Sequence, residues 1–269
     1  MAVATVTQVN VAPVKALGLV HPDEVMLERT GVAGNRRFHL IDERGRRYNQ
    51  LRDGRLVQIR PDYDAEAGRL TLAFPDGTVA DEAVAHGDEI TVDFYGRPVE
   101  GRLVEGPWAD ALSAWVGRPL RLVESEPGLA VDRARGQVSL VSEESLVELA
   151  RQSGRDSVDG RRFRMLFQIA GVEPHAEDEW VGHRIQVGEA VIELRGDVGR
   201  CAITTQNPDS GVPDFDTLRT IDAYRPRTNN AAGREHIPFG VYGDVVRPGV
   251  VRVGDPVQML EPSLLDATA

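Results

Sequence analysis

Gly196-Asp197-Val198-Gly199-Arg200-Cys201-Ala202-Ile203-Thr204-Thr205-Gln206-Asn207-Pro208-Asp209-Ser210-Gly211-Val212 carries the single cysteine of a 269-residue chain. Glycines loosen the approach, Arg200 precedes the thiol, and a β-prone Ile-Thr-Thr run leads into an Asn-Pro-Asp-Ser-Gly turn signal. Locally this predicts a loop, a cysteine at the mouth of a strand and a tight turn. A neighbouring cation favours the thiolate form of a cysteine, the form that ligates metals or attacks electrophiles. Free cysteines also serve as small buried apolar side chains, so residue type leaves both roles open.

Composition narrows the field. The chain is 41% hydrophobic and 27% charged with a formal charge of −11, the profile of an ordinary soluble globular protein long enough for one large or two modest domains. Such an acidic balance argues against nucleic acid, which demands a basic footprint. Any anionic ligand needs a locally positive pocket. One cysteine excludes an internal disulfide. The start, Met1-Ala2-Val3-Ala4-Thr5-Val6, lacks a signal-peptide pattern, and no apolar run reaches membrane-spanning length. The expectation is a cytoplasmic protein with no membrane partner. Of the 31 basic residues only Lys15 is a lysine, a compact point charge where every other cation is a planar fork.

Short strands dominate the pattern. Thr5 to Val11 alternates with period two, and Pro13 then stops the ladder and leaves Lys15 on a loop. Alternating stretches at Arg69–Phe74 and Glu89–Phe94, separated by turns such as Pro75-Asp76-Gly77, predict a small barrel or sandwich. Trp108, Ala111, Leu112 and Trp115 fall on one face of a helix behind Pro107. Pro127 to Gln137 reads as a linker, and the domain boundary is placed there. Ser142 is a good N-cap for a helix through Leu149, with Glu143 and Glu144 in its first turn. Glu177-Asp178-Glu179 reads as a solvated face anchored by Trp180. Ile185–Leu194 reads as a hairpin, Phe215–Tyr224 as a helix, and Val251–Leu260 as a terminal hairpin, with a frayed tail after Pro262.

The cysteine stretch resembles that of the MOSC family, named after the C-terminus of molybdenum cofactor sulfurases. Ala12-Pro13-Val14-Lys15-Ala16 is similar to a Pro-Ile/Val-Lys-Ser loop near the start of two-domain members, with Ala16 in the serine's place. Gly34-Asn35-Arg36-Arg37-Phe38 looks like a Gly-Asp-Arg-Arg-Phe/Trp stretch, in which Arg37 matches the arginine before the aromatic. Leu140 to Leu146 resembles a Leu-Ser-Glu-Ala-Ser-Leu helix start, and Pro238 to Tyr242 a Phe-Gly-x-Tyr strand. Arg162-Phe163-Arg164 matches the opening of Arg-Phe-Arg-Pro-Asn, but Met165-Leu166 replaces Pro-Asn. That departure removes an asparagine from the neighbourhood of the metal.

The resemblance implies a mostly β fold with flanking helices (α+β), divided into an N-terminal β-barrel-like domain at 1–126 and a MOSC β-barrel domain at 127–269. It implies a molybdenum cofactor (molybdopterin) whose metal is ligated by the catalytic Cys201, with Lys15, Arg37, Ser142, Arg164, Arg200 and Tyr242 holding the pterin. The implied reaction is the reduction of an N-hydroxylated or N-oxygenated small-molecule substrate, with an electron-donor redox protein as partner. The alternative is a sulfur carrier, or sulfurtransferase, using a Cys201 persulfide. A β-barrel binding protein with an inert cysteine, and a cysteine nucleophile served by a histidine base, are further readings. Zinc deaminase chemistry fails because His175-Ala176-Glu177 has no Pro-Cys-x-x-Cys companion. Calcium binding at Asn207–Gly211 fails for want of the distal glutamate.

Overall fold

The computed structural model describes residues 4–125, 136–229 and 233–261. Most of the expected linker, Pro127 to Gln137, and the tail after Pro262 lie outside these residues. The fold is mostly β, with three α-helices among the described residues: α1 (Trp108–Val116), α2 (Glu143–Ser153) and α3 (Thr217–Tyr224).

Seven strands close into a barrel, in the order Ala4–Val9, Phe167–Ala170, Val138–Ser142, Pro238–Arg247, Ala190–Gly199, Arg184–Val187 and Pro256–Met259. All neighbours run antiparallel except Val138–Ser142 beside Phe167–Ala170. The alternation read at Thr5–Val11 does form a strand. It sends Val6 and Val9 inward to join Leu140, Phe167, Ile169, Ile192 and Val241 in the barrel core. Its partners are distant in sequence, Val6 facing Ile169 and Ala4 facing Val257.

A second body is made of a five-stranded sheet (Arg47–Tyr48, Phe38–Asp42, Leu120–Ser125, Arg97–Glu105, Ala85–Phe94) and a three-stranded sheet (Arg60–Asp64, Arg69–Ala73, Val79–Ala83). Phe38 and Leu40 on one face of their strand meet Leu70, Leu72, Trp108 and Leu112. Ile41, on the other face, joins Phe94 and Val99 in a separate cluster. The tryptophan helix therefore packs as core, its Trp108 Nε1 donating to Leu70 O at 3.0 Å, and Gly117 closes it at φ 80°.

Ile185–Leu194 is the hairpin expected, turning at Gly188. The terminal segment is not. Gly249–Arg252 pairs with Glu24–Glu28, whereas Pro256–Met259 pairs with the barrel. The turn at Gly254 thus splits two strands between two sheets instead of folding them on each other. α3 begins at Thr217, two residues after the helical spacing suggests, because Asp216 caps it by accepting from Arg219 N.

Candidate functional site

Cys201 leaves the end of the barrel strand Ala190–Gly199 in extended conformation (φ −132°, ψ 174°) and is exposed. The Ile-Thr-Thr run after it is a 3-10 turn, Ala202–Thr205, not the strand expected. Threonine hydroxyls explain the change, since they offer the backbone local bonds that compete with a ladder. Cys201 O accepts from both Thr204 N and Thr204 Oγ1, and Thr205 Oγ1 donates to Ala202 O. Asn207 then builds the predicted turn, its Oδ1 accepting from Asp209 N and Ser210 N. That turn docks on the second body. Gly211, at φ 74°, backs directly onto Gly54, and Gln206 Nε2 donates to Gln50 O at 2.8 Å.

Two arginines link the thiol segment to the loop around Arg164. Arg200 Nε and Nη2 both donate to Phe239 O, Nη1 donates to Phe163 O at 3.0 Å, and Nη2 also reaches Met165 Sδ at 2.8 Å. The residue before the thiol is thus bolted to the residues on either side of Arg164. Arg200 was expected to line a positive pocket. These four donations go to two carbonyls and a thioether of the chain itself. Arg162 adds a second tie, donating to Gln206 O and pairing with Asp214.

Arg164 itself caps the 3-10 turn Gly160–Phe163 at φ 51°. Its backbone carbonyl accepts from Arg36 Nη2 at 3.1 Å, while among the described residues no hydrogen bond or ion pair engages its own guanidinium. Burial pushes that guanidinium down to about 10, still a cation at neutral pH. It lines a cavity of about 850 Å³ between the two bodies, together with Arg161, Ile203, Gln206, Asn207, Gln58 and Arg60. Asp209 lines the same cavity.

The first loops of the chain reach the same junction. Asn10 N donates to Leu166 O and Asn10 Nδ2 to Met165 O. Asn35 Oδ1 accepts from Ala12 N at 3.0 Å. Lys15 N donates to Phe38 O, and Lys15 Nζ stands 5.6 Å from the centre of the Phe94 ring. Arg37 diverges from expectation. Its guanidinium pairs with Glu124, a nearly buried carboxylate also held by His86. Arg36 is the neighbour that reaches the Arg164 loop.

Ser142 is 0% exposed, and its amide and hydroxyl, with the Ser145 hydroxyl, are taken by Glu177. Ser142 N and Ser145 Oγ donate to Oε1, and Ser142 Oγ donates to Oε2. An internal carboxylate therefore holds the polar atoms of Ser142, the residue the resemblance assigned to the pterin. Glu177 belongs to the acidic run read as solvated, yet it too is 0% exposed, and burial raises its carboxyl above the ordinary range against the pull of those hydrogen bonds. Tyr242 packs its ring between Gly136 and Gly196 on the barrel wall. Met165 and Leu166 are both buried, so the residues replacing Pro-Asn face the core.

Among the described residues no three His, Cys, Asp or Glu side chains are grouped to hold a metal ion. A metal at Cys201 must therefore bring its other ligands with it. A soft thiolate suits a sulfur-ligated metal of that kind, and the arginine cavity suits an anionic carrier. No helix among the described residues is long and apolar enough to cross a membrane.

Two family models match this chain. Residues 127–258 match the family model described as the MOSC domain, and residues 3–120 match that of the MOSC N-terminal beta barrel domain. The human mitochondrial amidoxime-reducing component 1 is 28% identical over 96% of this chain and 83% of its own length. The zebrafish (Danio rerio) molybdenum cofactor sulfurase is 24% identical over 88% of this chain and 31% of its own length. The YuaD protein from Bacillus subtilis superposes with a TM-score of 0.47 at 14% identity, covering 98% of this chain and 100% of that one.

Proposed function

This chain belongs to the two-domain MOSC family, and from that premise we propose that it is a molybdenum-cofactor-dependent oxidoreductase reducing N-hydroxylated or N-oxygenated small molecules, with electrons from a separate redox protein. Cys201 Sγ is the protein ligand to the metal. Arg164 holds the anionic end of the pterin, and Arg36 and Lys15 border the same junction. When bound, the cofactor supplies a centre that exchanges two electrons and an oxygen atom.

The chain's own residues supply placement. Arg200 fixes the thiol's backbone against the Phe163–Met165 loop, so the sulfur and the Arg164 cation keep one relative position. The turn at Asn207–Gly211 locks that assembly to the second body. The observation that carries the reading is the Arg164 guanidinium on the wall of the cavity, without a hydrogen-bond or ion-pair partner among the described residues, tied through a single arginine to an exposed thiol. The relatives named for amidoxime reduction support the reaction class.

Protein made in a cofactor-competent host tests it. Molybdenum approaches one atom per chain, disappears in Cys201→Ser and falls at least about tenfold in Arg164→Ala, and the wild type reduces benzamidoxime when given reduced methyl viologen. Metal-free protein carrying a sulfur released by dithiothreitol establishes the persulfide carrier instead.

A further inference from the structure

The cavity that Arg164 lines reaches well beyond the residues assigned to the cofactor. Cys201 is not part of its lining, and neither are Lys15, Arg37, Ser142, Arg200 and Tyr242. At about 850 Å³ it has the size of a small-molecule site, and clefts between domains are where such sites collect. Leu19, Val57, Phe74, Pro75 and Ile203 give it apolar surface. Phe74 packs in the core of the second body, whereas Ile203 lies in the 3-10 turn after Cys201.

Four arginines line the cavity against one carboxylate. That carboxylate, Asp209, is already engaged, its two oxygens accepting from Arg161 at 2.8 and 3.0 Å. Arg161 also holds Asp159, and Arg162 is paired with Asp214. Arg164 has the pterin in the reading above. Arg60 is left over. It is exposed and begins the strand Arg60–Asp64, where its backbone pairs with Ala73, next to Phe74 and Pro75. Among the described residues no hydrogen bond or ion pair engages its guanidinium. Its charge reaches Asp209 only through space, a minor aid to the Arg161 hydrogen bonds that hold that carboxyl below the ordinary range. In a chain of formal charge −11, an open cation beside apolar surface selects acids over neutral compounds.

We propose that this cavity is a second binding site, taking a small organic acid whose carboxylate or phosphate meets Arg60 while its apolar body lies between Phe74 and Ile203. Such a ligand touches both bodies and braces the seam between them. Neither Cys201 nor a metal takes part, so the site stands apart from the reductase reading.

Calorimetric titration of metal-free protein with salicylate and with phenyl phosphate tests it. At least one of these acids binds with a Kd below about 1 mM. Salicylamide, of the same shape but neutral, binds at least about tenfold more weakly. Arg60→Gln weakens the acid at least about tenfold and Arg60→Lys less, while Arg151→Gln, on the surface of α2, leaves it unchanged. Tighter binding of phenyl phosphate assigns phosphate esters to the site and tighter binding of salicylate assigns carboxylates, and either supports it. The proposal is overturned if neither acid binds, if salicylamide equals salicylate, or if Arg60→Gln binds as wild type does. It is also overturned if molybdenum loading abolishes acid binding, which gives the whole cavity to the cofactor. A wild type that takes up no molybdenum refutes the reductase reading alone, and the titrations still decide this one.

Discussion

Arg200 bonds the residues on either side of Arg164, yet the two arginines do opposite things. The first directs four donations inward to two carbonyls and a thioether, while the second keeps its guanidinium open to a cavity. Arg200→Ala therefore leaves Phe163 O and Phe239 O without their charged donors and lowers unfolding free energy by about 3 kcal/mol, measured by urea titration. Arg200→Lys recovers only part of that, since a point charge cannot bridge sites arranged for a fork. His39 carries a pH prediction. It is buried, its Nδ1 lies 3.1 Å from Ser125 Oγ and its Nε2 has no partner, and burial, helped by the positive charge of Arg47, pushes it down to about 4 from 6.5. Between those values the unfolded chain binds a proton that the folded one refuses, so stability is full above pH 6.5 and is lost as pH falls toward 4, by about 3 kcal/mol. In His39→Gln the difference in urea stability between about pH 7 and about pH 4.5 shrinks by most of that amount. Sequence alone identified the arginine-rich loops but not which arginine faces which way. Arg37 shares the side of its strand with His39 and Ile41, toward Phe94 and Glu124, and that parity becomes readable only once Phe38 is known to face the other core.

At the scale of elements, the cysteine stretch is a fastener. The turn that follows it presses Gly211 against Gly54 so closely that a side chain on either would enter the other's backbone. Gly211→Ala adds a steric clash to the strain of a positive φ and is expected to cost about 3 kcal/mol. Gly77→Ala, also at positive φ but with nothing within 4 Å, costs only about 1 kcal/mol. Thermal unfolding of the pair separates contact from strain. The turn was legible because asparagine and glycine act through their own backbones. The 3-10 turn before it was not, because β-branched residues favour strands until their hydroxyls find local acceptors. Ser142 shows the same limit. Its capping role was visible in the sequence, but the carboxylate that occupies the helix start comes from Glu177, 35 residues away.

For the whole molecule, the decisive pairings are those no local pattern encodes. The alternation at Thr5–Val11 announces a strand yet says nothing of which sheet receives it, and its neighbours are Phe167–Ala170 and Pro256–Met259. A fragment comprising residues 127–269 therefore lacks one stave of its own barrel and exposes two strand edges. It is expected to bind a hydrophobic dye and to elute as aggregate on gel filtration, and a peptide of residues 1–20 added during refolding is expected to reduce both signals.

The same seam sets an order for biogenesis. Ala4–Val9 is made long before Pro256–Met259, so the barrel cannot shut until that later strand has emerged. Through that interval one edge of Ala4–Val9 lacks its neighbour even after Phe167–Ala170 has paired with the other, a natural handle for a holding chaperone, and any pause before Pro256–Met259 is made lengthens the time that edge must be kept from a wrong partner.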